Sequence, residues 1–178
     1  MGSLPETTQA AKMLLFDFER PSQALRWRAV NDVVMGGVST SQMRPLTDTT
    51  AVFEGIVSLE NNGGFASVRV PVHQDLSACD GIRLRVRGDG REYGFFMRGA
   101  SLLGAGIRYQ ASFHAPADAW ATVTIPFDAL APHVWGMTLP LAPPLNMRHI
   151  TAFGLILAGQ PGMFRLELDW IRAVCEGR

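Results

Sequence analysis

One stretch decides the fold class: residues 81–88, which read GIRLRVRG. Apolar side chains from Ile82 to Val86 alternate there with three arginines from Arg83 to Arg87. A period of two places the apolar set on one face of a β-strand and the arginines on the other. The stretch therefore predicts a strand of an antiparallel sheet with one buried face and one face near water.

Strand-like segments of this kind recur on both sides of residues 81–88. Turn-forming residues separate them at the close spacing that is typical of β-sandwiches. The predicted strands are 13–18, 51–60, 65–70, 81–88, 92–98, 107–114, 119–125, 150–158 and 164–174. We predict an all-β protein with a flexible N-terminal tail, residues 1–12, and a single-domain antiparallel β-sandwich of the jelly-roll type, residues 13–178.

Several connections between these strands have distinctive sequences. Asn61-Asn62-Gly63-Gly64 has the chemistry of a β-hairpin turn, and Gly88-Asp89-Gly90 that of a second turn. Residues 126–130 predict a single helical turn, because proline suits its first position. Residues 131–148 contain four prolines and predict a long irregular loop, of the kind that often forms a lid or a binding surface.

Composition limits the classes of function. The 178-residue chain has 16 basic and 16 acidic residues, so no excess positive field attracts nucleic acid or an anionic membrane. No apolar run approaches the roughly 20 residues of a membrane helix, and residues 1–12 resemble neither a signal peptide nor a transit peptide. We expect a cytoplasmic protein that binds no nucleic acid and inserts into no membrane.

The chain contains two cysteines, Cys79 and Cys175. Two are too few for a disulfide framework or for a structural zinc site with four ligands. We expect free thiols, and a bond between the two cysteines remains the alternative.

Residues 27–41, which read WRAVNDVVMGGVSTS, are explained neither by a strand nor by a helix alone. Asn and Asp side chains cap their own backbone and glycine tolerates positive φ, so Asn31-Asp32 followed by Gly36-Gly37 predicts a shaped turn. The residues predicted to shape this loop and the adjoining ones are Trp27, Asn31, Asp32, Met35, Gly36, Gly37, Ser39, Asn61, Asn62, Gly63, Gly64, Gly88, Asp89 and Gly90.

The same segment resembles the signature of the complex I intermediate-associated protein 30 family, through Trp27, Asn31-Asp32 and residues 34–39. Further blocks agree in order, so the resemblance covers about residues 14–174. They are 53–55, 61–69, 84–93, 109–113, 120–127, 153–154 and 162–164. The resemblance implies a galactose-binding-type jelly roll that holds an assembling protein partner, which in the mitochondrial members is an intermediate of respiratory complex I. It also implies a bacterial or already trimmed member, because the N-terminus contains Glu6 and no arginine before Arg20 and so does not resemble a mitochondrial transit peptide.

The arginine side of residues 81–88 has two interpretations. It is a solvated sheet face whose arginines pair with carboxylates, or a surface that docks an acidic or polar partner, because guanidinium forks suit interfaces. The second interpretation groups Arg69 with Arg85 and Arg87, and it makes Trp135 an exposed anchor. Further contacts of the kind that hold sugars or protein side chains are predicted at Tyr109, Gln110 and Trp120.

The common catalytic and metal-binding motifs are missing from the sequence. The four histidines are widely spaced, and no nucleophile elbow or phosphate-binding loop is present. We therefore predict no enzyme activity, no cofactor and no metal, while a calcium ion that braces the loops stays open.

Three functions follow, in order of preference. The first is a non-enzymatic module that binds another protein, a respiratory-chain subunit by the family resemblance. The second is a carbohydrate-binding jelly roll, which predicts a groove with exposed aromatic side chains. The third is an enzyme whose polar pocket is built from separate loops by Asn31, Asp32, Asn62, Arg69 and Asp89.

Overall fold

The chain folds into two β-sheets, and the computed structural model describes residues 11–101 and 106–175. The strands are β1 (Ala11–Phe16), β2 (Arg28–Ala29), β3 (Thr40–Thr47), β4 (Thr50–Val57), β5 (Phe65–Gln74), β6 (Gly81–Arg87), β7 (Glu92–Gly99), β8 (Arg108–His114), β9 (Trp120–Pro126), β10 (Ala131–Val134), β11 (Met137–Thr138), β12 (Ile150–Ala158) and β13 (Gly162–Cys175). The helical elements are α1 (Pro21–Leu25) and three 3₁₀ turns, Asp32–Met35, Glu60–Asn62 and Phe127–Ala129. The first strand begins at Ala11, and the rest of the predicted tail, residues 1–10, lies outside the described residues.

Both sheets are antiparallel. The first sheet has the strand order β3-β4-β13-β6-β9, and β1 pairs with the end of β13. The second sheet has the order β11-β10-β8-β7-β12-β5-β2. This arrangement confirms the predicted all-β antiparallel sandwich. No helix among the described residues is long and apolar enough to cross a membrane.

The inner faces of the two sheets form one core. Ile82, Leu84 and Val86 are completely buried, as the alternation of residues 81–88 predicts. Aromatic rings join the sheets: Phe53 of β4 lies 6.4 Å from Tyr93 of β7, measured between ring centroids. The arginines that alternate with the buried residues therefore lie on outer faces.

The predicted hairpin at residues 61–64 is wrong. Strand β4 belongs to the first sheet and β5 to the second, so residues 58–64 carry the chain from one sheet to the other. Asn61 and Asn62 have left-handed φ values of 55° and 57° there. The turn chemistry of the sequence is real, but local chemistry does not tell which strands a turn connects.

The prediction missed two strand regions and one strand end, and each of the three contains a proline. Strand β3 contains Pro45, strand β5 continues through Pro71 to Gln74, and the predicted irregular loop 131–148 begins with the β10–β11 hairpin, which contains Pro132. Pro45 lies on an edge strand and Pro71 lies opposite a bulge of β12. Both positions tolerate the missing N–H donor.

Cys79 and Cys175 form a disulfide bond, so the expectation of free thiols is wrong. Cys79 precedes β6 and Cys175 ends β13, and these neighbouring strands pair Gly81 with Val174. The strand register therefore brings together two cysteines that are 96 residues apart in the chain.

Candidate binding cleft

The segments 31–39 and 58–65 form one hydrogen-bonded corner around Asp32, which is completely buried. The Asp32 Oδ1 atom accepts a hydrogen bond from the Ser39 amide (3.0 Å), and Oδ2 accepts from the Ser39 hydroxyl (2.6 Å) and the amides of Gly64 (2.7 Å) and Phe65 (3.2 Å). Burial alone would raise the pKa of this carboxyl, but the hydrogen bonds outweigh burial and hold its pKa below the usual value. Asp32 thus ties together two of the places where the chain crosses between the sheets, the β2–β3 and β4–β5 connections.

Neighbouring residues complete this corner. Asn31 Oδ1 accepts from the Ser41 hydroxyl (2.7 Å) and the Ser67 amide (3.0 Å). A Cβ atom at Gly37 would lie 2.4 Å from Asp32 Cγ, so only glycine lets the carboxylate approach this closely. Trp27 is buried in the core, and Gly36, which follows half-exposed Met35, has a φ of +88°.

Residues 88–90 form a separate corner, between β6 of the first sheet and β7 of the second. Asp89 accepts hydrogen bonds from the Tyr93 hydroxyl (2.9 Å) and the Arg165 amide (3.1 Å). Of the five residues proposed for a loop-built enzyme pocket, Arg69 lines the cleft described below, whereas Asn31, Asp32, Asn62 and Asp89 do not. The cleft therefore contains one of the five.

The outer face of the first sheet carries a network of salt bridges, and we call it the ion-paired face (Arg44, Glu54, Arg85, Arg87, Arg165, Glu167 and Asp169). Glu167 is buried and pairs with Arg87 (2.7 Å) and Arg165 (3.1 Å). The Trp120 ring lies under Arg85 and Arg87, at 5.6 and 5.3 Å from their guanidinium carbons. Arg85 and Arg87 thus pair with carboxylates of the same sheet, as the first of the two interpretations of the arginine side of residues 81–88 predicts.

The outer face of the second sheet carries a cleft of about 1000 Å³, which we call the arginine cleft. Its charged lining residues are Arg26, Arg28, Arg69 and Arg98. The remaining described lining residues are uncharged: Val30, Pro71, Gly99, Ala100, Ser101, Ile107, Tyr109, Pro143, Pro144, Leu145, Asn146, Thr151 and Ala152.

The cleft exists because small residues line its floor and an irregular segment forms its wall. Strand β12 contributes Thr151 and the small Ala152 to the lining. At Gly154 the Phe96 ring packs against the backbone, and a Cβ atom there would come within 1.9 Å of the ring. The wall is the segment 143–146, and the Tyr109 hydroxyl donates a hydrogen bond to the Pro143 carbonyl. Tyr109 itself is only 8% exposed.

The arginines of the cleft have no acidic partners among residues 11–101 and 106–175: no ion pair involves Arg26, Arg28, Arg69 or Arg98. Burial lowers the pKa of the Arg98 guanidinium, and the charges of Arg69 and Arg108 lower it further. Mutual repulsion of this kind favours a bound anion. No three His, Cys, Asp or Glu side chains of the described residues lie close enough together to hold a metal ion.

The predicted contact residues lie on both sides of the sandwich. Grouping Arg69 with Arg85 and Arg87 is wrong, because Arg69 lies on β5 of the second sheet and the other two on β6 of the first. Tyr109 and Gln110 lie on β8 of the second sheet, whereas Trp120 lies on β9 of the first. Trp135 follows the end of β10 and is 71% exposed.

Sequence reasoning missed Arg26, Arg28, Arg98 and the nearby Arg108. Arg98 and Arg108 each stand alone in their segments, and Arg26 and Arg28 form a single pair around Trp27, so no local pattern connects the four. Only pairing across strands, such as Arg28 opposite Arg69, makes them neighbours.

Residues 16–168 match the family described as Complex I intermediate-associated protein 30 (CIA30). The chain belongs to this family. The match confirms the resemblance carried by the motif of residues 27–41. No curated protein matches this CIA30 chain in sequence.

Solved structures share the fold of this CIA30 family member. The family 11 carbohydrate-binding module from Clostridium thermocellum, in complex with a β-1,3-1,4-mixed-linked tetrasaccharide, superposes with a TM-score of 0.74 at 17% identity, over 94% of this chain and 98% of that one. A family 30 carbohydrate-binding module gives a TM-score of 0.55 at 13% identity, over 93% and 99% of the two chains. An agarase gives 0.66 at 10% identity, over 95% of this chain and 25% of the enzyme. These similarities confirm the jelly-roll sandwich and, at such identities, show the fold alone.

Proposed function

We propose that this CIA30 family member is a non-enzymatic binding module that holds a segment of a partner protein in the arginine cleft. The lining of the cleft carries this proposal. Its described residues supply guanidinium, amide, hydroxyl and apolar groups, and no carboxylate, imidazole or thiol. Arginine stays protonated and cannot act as a general base at neutral pH. The cleft is thus equipped to bind a ligand. Its described lining residues offer no carboxylate, imidazole or thiol that could accept a proton as a general base.

A protein segment suits the cleft better than a neutral sugar. Arginine, tryptophan and methionine are enriched at protein interfaces. Strand β10 pairs with β8, which carries Tyr109 of the cleft, and the β10–β11 hairpin exposes Trp135 and Met137, each by 71%. The partner we propose is a respiratory-chain subunit, in keeping with the family description.

The bacterial, cytoplasmic origin stays a prediction. The Cys79–Cys175 bond weighs against a cytoplasmic location, because disulfides persist mainly in oxidising compartments.

Site-specific photo-crosslinking in the source cells tests the proposal. A photoreactive residue replaces the exposed Pro71, which lines the cleft, and in a matched control it replaces the exposed Thr122 on the outer face of the first sheet. We expect crosslinks from position 71 to a respiratory-chain polypeptide and none to it from position 122. Equal labelling from the two positions, or none from position 71, would contradict the proposal.

A carbohydrate ligand is the second candidate, because Asn146, Thr151 and the arginines are hydrogen-bond partners for sugar hydroxyls. Against it, the aromatic side chain of the cleft is nearly buried rather than exposed as a stacking surface. Calorimetric titration with the mixed-linked tetrasaccharide distinguishes the two ligands. Millimolar or tighter binding that disappears in Arg69→Ala would replace the protein-binding proposal by this one.

A further inference from the structure

A row of four arginines crosses the outer face of the second sheet. Arg28 lies on β2, Arg69 on β5, Arg98 on β7 and Arg108 on β8. Arg28 is directly opposite Arg69 in the strand register. Strand β12 lies between Arg69 and Arg98 and places Gly154 opposite Arg69 and Ala152 opposite Arg98. The Phe96 ring covers Gly154, and the small Ala152 side chain lines the cleft beside Arg98.

This row is unfavourable in the protein alone. Like charges directly opposite each other in a sheet are destabilising, and Arg28 and Arg69 have this arrangement. No described carboxylate forms an ion pair with any member of the row. Arg108 is stacked on the Phe96 ring at 5.7 Å, and its Nε atom is buried without a partner among the described residues. An anionic ligand would supply the charge that is missing.

The charges are spread along a line rather than gathered at one point. From β2 to β8 the row crosses five adjacent strands, which at about 4.8 Å per interval is roughly 19 Å. One phosphate or carboxylate would reach only neighbouring members. An extended peptide advances about 3.3 Å per residue and directs alternate side chains to one side, so about six residues span the row.

We infer that the arginine cleft binds an acidic peptide segment in an extended conformation, whose alternate carboxylates pair with Arg69, Arg98 and their neighbours. The inference rests on the proposed function and specifies its ligand. Guanidinium and carboxylate form bidentate, charge-assisted hydrogen bonds, so Asp or Glu side chains fit the row. The β10–β11 hairpin, whose His133 pairs with Arg108, exposes Trp135 and Met137 as apolar side chains at that end of the row.

Two matched peptides test the inference. One alternates glutamate with serine over eight residues, the other has glutamine in place of every glutamate, and both carry a fluorophore for anisotropy titration at low salt. We expect the glutamate peptide to bind at least about tenfold more tightly, with an affinity that falls as salt increases.

The double variant Arg69→Gln/Arg98→Gln should remove this preference. Arg83→Gln/Arg172→Gln is the matched control, since it removes the same charge from the outer face of the first sheet and neither residue belongs to an ion pair of the described residues. The control should keep the preference, and melting curves show that both variants are folded.

The outcomes separate the inference from the proposed function. Equal binding of the two peptides, with crosslinking at position 71 retained, overturns the acidic-ligand inference and leaves the proposed function. Absence of peptide binding and of crosslinking overturns both. Binding of a carboxylated glycan (oligogalacturonate as the probe) that depends on Arg69 and Arg98, without binding of the glutamate peptide, overturns the inference in favour of an anionic polysaccharide.

Discussion

The two outer faces of the sandwich use arginine in opposite ways. On the ion-paired face, Arg87 and Arg165 hold the buried Glu167, and Arg85 holds Asp169. In the arginine cleft, by contrast, Arg69 and Arg98 have no acidic partner among the described residues. The difference teaches that an arginine-rich strand is not in itself a binding site. Its role depends on whether the neighbouring strand supplies the carboxylate.

The first sheet also contains the covalent link of the fold, because the Cys79–Cys175 bond joins the start of β6 to the end of β13. The first sheet thus carries the disulfide and the ion pairs around Glu167, although Arg83 and Arg172 on its outer face form no described ion pair. In the arginine cleft, no arginine has an acidic partner among the described residues. The four predictions below test this difference, from the largest expected effect to the smallest.

Loss of the disulfide should have the largest effect. The bond closes a loop of 96 residues, and constraint of the unfolded chain by a loop of that length corresponds to about 4.7 kcal/mol. We expect Cys79→Ser/Cys175→Ser to lose this much unfolding free energy in denaturant titrations, and reduced wild-type protein to behave like the variant. Glutamate-peptide binding by the folded variant should be unchanged. A loss of unfolding free energy below about 1 kcal/mol would contradict the view that the first sheet and its disulfide stabilise the fold.

The Asp32→Ala variant should lose about 3 kcal/mol, since it leaves the amides of Ser39, Gly64 and Phe65 without an acceptor. The folded-state pKa of Asp32 lies below its unfolded value, so its contribution is present above roughly pH 4 and disappears as pH falls through the folded pKa. Stability measured from pH 7 to pH 2 should therefore fall less steeply in the variant. Asp48→Ala, at an exposed position, is the control, and an equal acid dependence in wild type and Asp32→Ala would contradict the role of the corner.

Glu167→Gln should lower the unfolding free energy by about 2 kcal/mol, because Arg87 and Arg165 both pair with the buried Glu167 carboxylate and would lose its negative charge. Thermal and denaturant unfolding measure the loss. High salt should not remove the difference in unfolding free energy between wild type and Glu167→Gln, because Glu167 is buried. If Glu167→Gln is as stable as wild type, the pairing on the first sheet does not stabilise the fold and the comparison fails.

Arg69→Gln should have the smallest effect on stability, within about 0.5 kcal/mol of wild type or slightly stabilising, because it removes repulsion with Arg28 and breaks no described ion pair. The same denaturant titrations measure it beside Glu167→Gln. A destabilisation as large as that of Glu167→Gln would show that Arg69 is structural.

Some features of the site were accessible from the sequence because they are local. The turn chemistry of Asn31, Asp32 and Gly37 is visible in the order of the residues, and the structure places these residues in one corner. The cleft was not accessible, because Arg28 and Arg69 become neighbours only when β2 pairs with β5. Tyr109 and Trp120 looked alike as candidates, yet they lie on different sheets.

The sequence by itself determined nine of the described strands and the inward face of residues 81–88, since a period of two separates apolar from polar side chains without reference to any other part of the chain. It did not show β2, β3, β10 and β11. It also determined the family, through a motif that is contiguous. Only the tertiary structure decided which arginines pair with carboxylates, that the two cysteines form a bond, and where the cleft lies. These properties depend on strand order and register, which are set by packing between segments far apart in the chain.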